Sequence, residues 1–188
     1  MPQPVLVLVD YQKAFDDEAF WGARNNPKAE ENAAAVLAAF RERGLLVIHL
    51  QHDSATPGSP LAPGNPGHAF KDFARPRGAE PVLHKSVNSG FIGTDLESRL
   101  RALQADPVVI MGMTTDHCVS TTTRMSANLG FRTILVGDAC CAFDRNGIAA
   151  GTVHRVELAV LDGEFATVTT AAGLTGRFDA FCGQESKP

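Results

Sequence analysis

The chain has 188 residues, 44% hydrophobic and 20% charged, with a formal net charge of -4. That size suits a single domain over residues 1–188 around one core, and an acidic balance argues against nucleic acid as a partner. No uninterrupted apolar run is long enough to cross a bilayer, and the opening MPQPVLVLVDYQ lacks the basic flank and long apolar stretch of a secretory signal. The expectation is a cytoplasmic protein with no membrane partner.

In chain order, short apolar runs alternate with longer helical patterns. VLVLVD (5–10) is the first run, and a helix is predicted over 28–43, between Pro27 and Gly44. GLLVIHLQ (44–51) follows, then an irregular Pro- and Gly-rich stretch over 52–79, long enough to serve as a lid or pocket wall. After EPVLHKS (80–86) a helix is predicted over 94–105, where Thr94 and Glu97 have the spacing of a capping box. PVVIMGM (107–113) precedes a helix over 116–129 that stops at Gly130. FRTILVGD (131–138), a helix over 146–162 closed near Gly163, and FATVTT (165–170) complete the pattern. Short runs rich in Val, Ile and Leu read as strands buried on both faces. Alternation with helices implies right-handed crossovers: an α/β, three-layer α/β/α sandwich on a mostly parallel, Rossmann-like sheet. No GxGxxG follows the first strand, which disfavours a dinucleotide-binding enzyme.

In open parallel sheets the ligand sits beyond the carboxyl ends of the strands. That rule selects Asp10, the Gln51-His52-Asp53 stretch, Lys85, the turn GMTTDHC and Asp138. Cys118 falls near the first turn of the helix that begins around Asp116. There, unpaired N–H groups and the helix dipole favour a thiolate and could hold an oxyanion. A buried packing residue is the other reading of the same position. A carboxylate ending an apolar strand needs a partner, and Lys85 at a neighbouring strand end supplies one. The pair is either a structural ion pair or a general base, Asp10, held by Lys85 beside the thiol. The cysteines form no CxxC pair, and Cys140, Cys141 and Cys182 are read as packing.

The segments LVLVDYQKAF, WGARNNP, HLQHDS, HKSVNSGFIGTDLESRLR, VVIMGMTTDHCVSTTTRMSANLGF and GDACCAFD extend over roughly residues 4 to 165. In this order they resemble the isochorismatase-like cysteine hydrolases, a superfamily that includes nicotinamidases, N-carbamoylsarcosine amidohydrolase, ureidoacrylate and biuret hydrolases, and streptothricin hydrolase. WGARNNP and HDSATPGSPLAPG are most similar to the streptothricin-hydrolase-like branch. The resemblance implies a six-stranded sheet, a catalytic triad of Asp10, Lys85 and Cys118, and a cis peptide between Met113 and Thr114. It implies an oxyanion hole formed by the N–H groups of Thr114 and Cys118. The activity implied is cleavage of an amide, lactam or ureido bond of a small molecule through an acyl-enzyme, by a homodimer or homotetramer.

Nicotinamidases bind a metal through an Asp-x-His pattern that Gln51-His52-Asp53 does not reproduce. His49, His52, Asp53 and His68 have ligand chemistry. However, the order is wrong and His49 and His52 lie on different sides of a strand. No metal and no cofactor are expected, and His52 and Asp53 read as pocket wall or local hydrogen bonding. Isochorismatases that cleave a vinyl ether lack the cysteine, so Cys118 points to amide-type substrates. Gln12, Trp21, Phe91 and His117 are candidate substrate contacts, although Gln12 has the alternative of tying down its turn. Arg24 and Asn25 read as loop fasteners beside Asn26, and His154 as structural. A thiol redox sensor and a non-catalytic binding domain of the same fold are the competing classes; an intact triad disfavours the second and the lack of an obvious resolving cysteine the first.

Overall fold

The computed structural model describes residues 2–178 and 180, so Cys182 lies outside the described residues. The apolar runs form β1 (Gln3–Val9), β2 (Leu46–His52), β3 (Val82–Lys85), β4 (Ala105–Gly112), β5 (Thr133–Val136) and β6 (Thr167–Thr169). They make one sheet, ordered β3-β2-β1-β4-β5-β6 and parallel at every pairing. Residues 4–9 and 107–112 are buried throughout, as the two central strands of a doubly covered sheet require. The helices are α1 (Glu18–Trp21), α2 (Ala29–Glu42), α3 (Leu96–Ala102), α4 (Ser120–Asn128), α5 (Ala150–Leu161) and α6 (Ala171–Gly176). α2 packs with α6, and α4 with α5, so the sheet is flanked by helices as an α/β sandwich. On α2 the buried positions Ala29, Ala33, Val36, Leu37 and Phe40 make one apolar stripe at helical spacing. Full burial of Val36, Leu37 and Phe40 contributes roughly 1.5–3 kcal/mol each.

The strand order reverses direction between β1 and β4, and the register levels their ends, pairing Val9 with Gly112. The crevice of a doubly wound sheet opens at such a reversal. Gly112 is required for the close approach, because a Cβ there would stand 2.2 Å from the Val9 carbonyl oxygen.

Several boundaries differ from the sequence expectations. The helix expected over 94–105 is only α3. Its N-cap is Asp95, because the Thr94 hydroxyl donates to the Gly90 carbonyl while accepting from the Leu96 N–H. No capping box closes there, and Glu97 pairs with Arg101 instead. The helix expected from 116 opens with a π-helical turn, Thr115–Val119, before α4. The helix expected from 146 starts at Ala150. Asn146 and Gly147 take positive φ, 49° and 80°, and Arg145 and Ile148 pair across them in a tight turn. Asn-Gly is the strongest short turn signal, and it sets the helix start four residues later than the apolar periodicity predicts. A cis Asp106–Pro107 bond lies at the start of β4.

The 52–79 stretch is tied to the body at several points. Lys71 donates its backbone N–H to the Tyr11 carbonyl at 2.8 Å, and its buried ammonium reaches Asp16 and Glu30. Before β3, Glu80 accepts from Arg41 Nε (2.7 Å), from the Arg77 N–H (2.8 Å) and from buried His49 Nε2 (2.8 Å). Burial alone would raise the Glu80 carboxyl, but these donors hold it at about 2, below its ordinary 4.5. His49 is pushed down, chiefly by burial, against the pull of Glu80. Both groups therefore take up protons more readily when the chain unfolds, so their stabilisation is present at neutral pH and is lost on acidification. Unfolding free energy is expected to fall as pH drops below the ordinary histidine value of about 6.5 for His49, then from about 4.5 toward 2 for Glu80. Glu80→Gln should lower stability at pH 7 by about 2 kcal/mol and flatten the lower part of that curve. Urea titrations across pH check this, and a pH dependence unchanged in Glu80→Gln would refute it.

Candidate active site

Asp10 follows β1 directly and turns the chain at φ 51°, a conformation costly for a non-glycine residue. Its N–H bonds the Leu50 carbonyl at 3.1 Å, and its own carbonyl accepts from the Gln12 N–H at 2.7 Å. Lys85 ends β3, and its ammonium crosses beyond β2 to Asp10 Oδ2 at 2.7 Å, with both side chains fully buried. The same ammonium lies 3.1 Å from His52 Nδ1 and 3.2 Å from the Val87 carbonyl. Asp10 Oδ1 is buried without a hydrogen-bond partner among the described residues. The donor atoms of Asp10, His52 and Cys118 lie within 4.8 Å of one another. Cys118 itself sits in the π-helical turn, 8% exposed, with Sγ 3.8 Å from Asn88 Oδ1.

Electrostatics set the resting state. Burial, and then the Asp10 charge, push the Cys118 thiol well above its ordinary value, against the pull of Lys85. Cys118 is therefore a neutral thiol at rest. For Lys85, burial disfavours the ammonium, but attraction to Asp10 and Cys118 outweighs it and the net shift is upward. His52 is lowered by burial and then by Lys85, so it is a neutral imidazole whose Nδ1 lone pair accepts from the ammonium.

A cavity of about 310 Å³ opens above the thiol. Trp21, His117, Thr114 and Cys118 line it, as do His52 and Asn88. The Met113–Thr114 peptide is cis. Trp21 donates its indole N–H to the Ala14 carbonyl at 2.9 Å and packs on Phe15 and Phe143. Two candidate substrate contacts lie elsewhere. Gln12 is fully buried, with its amide spent on the His52 and His68 backbones, so it ties down the turn. Phe91 is 9% exposed and stacks on Phe131, outside the cavity lining, because its loop folds back over the core. Arg24 forms a two-point ion pair with Glu30, and Asn25 and Asn26 bond the backbone of Ala142, Asp138 and Cys140. His154 bonds Thr115 behind the turn at 2.8 Å. Cys140 and Cys141 are fully buried free thiols, pushed by burial to about 12.

The residues with ligand chemistry separate into different networks. His49 faces Glu80, and Asp53 accepts from His68 (2.7 Å) and His84 (3.1 Å). His52 joins Asp10 and Cys118, and the Lys85 ammonium already pairs with Asp10 at 2.7 Å and lies 3.1 Å from His52 Nδ1. Sequence reasoning missed Asn88 and the direct His52–Lys85 contact. Asn88 lies three residues past Lys85, so the strand-end rule, extended into the loop, would have included it. The cavity walls from Phe15, Phe20 and Leu61 had no comparable signal.

The isochorismatase domain model matches residues 4–173. The chain belongs to the isochorismatase family. Among isochorismatase-family relatives, YrdC of Bacillus subtilis, whose function is uncharacterised, is 50% identical over 92% of this chain and 95% of its own length. Streptothricin hydrolase of Streptomyces noursei is 34% identical over 74% of this chain, and half of the relative is covered. Maleamate amidohydrolase of Pseudomonas putida is 29% identical, covering 89% of this chain and 83% of the relative. An isochorismatase-family structure from Chromobacterium violaceum superposes with TM-score 0.90 at 44% identity, covering 95% of this chain and 94% of that one. The site described above sits inside the matched family region.

Proposed function

We propose that this isochorismatase-family protein hydrolyses a C–N bond of an amide, lactam or ureido compound through a thioester on Cys118. The observation that carries the reading is the buried Asp10–Lys85 pair at 2.7 Å with the Cys118 thiol beside it at the floor of a cavity. The relatives that act on amides in this family support the bond type.

Because the thiol is neutral at rest, attack needs a base. Asp10 Oδ1, the unpartnered oxygen, accepts the thiol proton as Sγ bonds to the substrate carbonyl carbon. The carbonyl oxygen becomes an oxyanion facing the N–H groups of Thr114 and Cys118. Lys85, paired with Asp10 at 2.7 Å, stabilises the negative charge that moves from oxygen to sulfur and back. Protonated Asp10 then gives its proton to the leaving nitrogen, the C–N bond breaks and the thioester remains. Water attacks the thioester with Asp10 again taking a proton, which releases the carboxylic or carbamic acid and restores the thiol. His52, accepting from Lys85, holds the ammonium in register with Asp10.

Intact-mass spectrometry of the protein mixed with a panel of amides, lactams and ureas tests this reading. The expected result is a transient mass increase equal to one acyl group, mapped to Cys118 and absent in Cys118→Ala. Turnover of a panel compound by wild type with the same rate in Cys118→Ala would overturn it.

A further inference from the structure

The side chains around the cavity bear on which molecules can enter it. Phe15, Phe20, Trp21 and Leu61 form an apolar and largely aromatic wall. Ser54, Thr56 and Ser59 add hydroxyl groups to the lining, and two of these already cap their own loop, Ser54 Oγ accepting from the Thr56 N–H and Ser59 Oγ from the Leu61 N–H. Among the described residues no arginine and no carboxylate lines the cavity, apart from Asp10 beneath its floor. Of the other cations, Lys85 serves Asp10 and His52, Arg24 serves Glu30, and Arg145, which is not part of the lining, donates its Nε to Asp116 and keeps one buried Nη without a hydrogen-bond partner among the described residues. His117, at the rim, has its ring 3.5 Å from that same Asp116 carboxylate.

An ionised carboxylate entering such a cavity would lose its hydration and gain no paired cation. A flat, uncharged group loses little hydration and stacks on the aromatic wall. We infer that the site selects substrates whose portion beyond the scissile carbonyl is uncharged and flat, and discriminates against amides that carry a carboxylate there. The inference rests on reading Cys118 as the nucleophile in this cavity, and it separates this chain from a relative named for maleamate, itself a carboxylate-bearing amide.

The test uses charge alone. Wild-type protein is alkylated with iodoacetamide or iodoacetate, each rate is measured on the Cys118 peptide, and both are normalised to glutathione. Neutral iodoacetamide is expected to be preferred at least about tenfold beyond the ratio shown by glutathione. Thr56→Arg, which adds a cation to the exposed part of the wall, should reduce that preference at least about threefold. A normalised ratio near one, a preference for iodoacetate, or a Cys118 that neither reagent modifies would each overturn the inference. Benzamide and 4-carbamoylbenzoate are then offered as substrates. A charge preference in alkylation with neither compound hydrolysed counts against the hydrolase reading but not against the charge selection; faster hydrolysis of the carboxylate compound overturns the selection.

Discussion

Cys118→Ala is expected to lower kcat/KM for any amide the wild type hydrolyses by at least about 10³-fold, equivalent to about 4 kcal/mol of transition-state stabilisation. The fold should survive. Cys118 lies in the π-helical turn and is 8% exposed, so removing one sulfur trims packing only at the cavity floor. The thermal midpoint should therefore stay within a few degrees of wild type while the rate collapses. Cys118→Ser tests the chemistry more finely. It keeps a group of similar size, but a serine hydroxyl is far less acidic than a thiol, and Asp10 alone is a weak base for it. Activity comparable to wild type in Cys118→Ser would show that thiol chemistry is not used. Steady-state rates and thermal melts of both variants decide the matter.

The second large effect concerns the ion pair. Lys85 and Asp10 are both fully buried, 2.7 Å apart. Removing one member of such a pair leaves the other charge without compensation, at a cost of about 3–5 kcal/mol. Lys85→Met is expected to lower the thermal midpoint by about 10 °C, given roughly 2–4 °C per kcal/mol at this chain length. It should also abolish activity, because Asp10 would lose the ammonium that fixes its carboxylate beside the thiol and balances the charge of the reaction. Asp10→Asn should likewise abolish activity, and it strands the Lys85 ammonium. The double variant Asp10→Asn/Lys85→Met removes both charges, and most of the lost stability is expected to return while activity does not. Stability losses that simply add in the double variant would show that the two residues do not act as a pair.

The strand ends were legible because they depend on local information. A short Val-, Ile- and Leu-rich run places its last residues at the sheet edge, and a charged residue there, such as Asp10 or Lys85, stands out from the run. The turn before Cys118 was legible in the same way. Loop geometry was not. Gln12 looked like a site residue from its place two positions after Asp10. Its direction is decided by the His68 carbonyl, 56 residues away. Phe91 sits in a segment that looked like pocket, but it packs into the core and stacks on Phe131. Asn146-Gly147 carried a turn signal in the sequence, and apolar periodicity on either side concealed it.

By itself, then, the sequence determined the alternation of buried strands and helices, the parallel sheet, and which side chains stand at its carboxyl edge. Periodicity and side-chain chemistry act over a few residues, so one chain is enough to read them. Only the tertiary structure decided that Lys85 reaches across β2 to Asp10, that His52 accepts from the same ammonium, and that the wall above Cys118 is aromatic and without an arginine or lysine among the described residues. The two contacts of the Lys85 ammonium join residues 75 and 33 apart, and the aromatic wall comes from a segment still farther from Cys118 in the chain. They are set by how the loops pack against one another, and no local pattern encodes that packing.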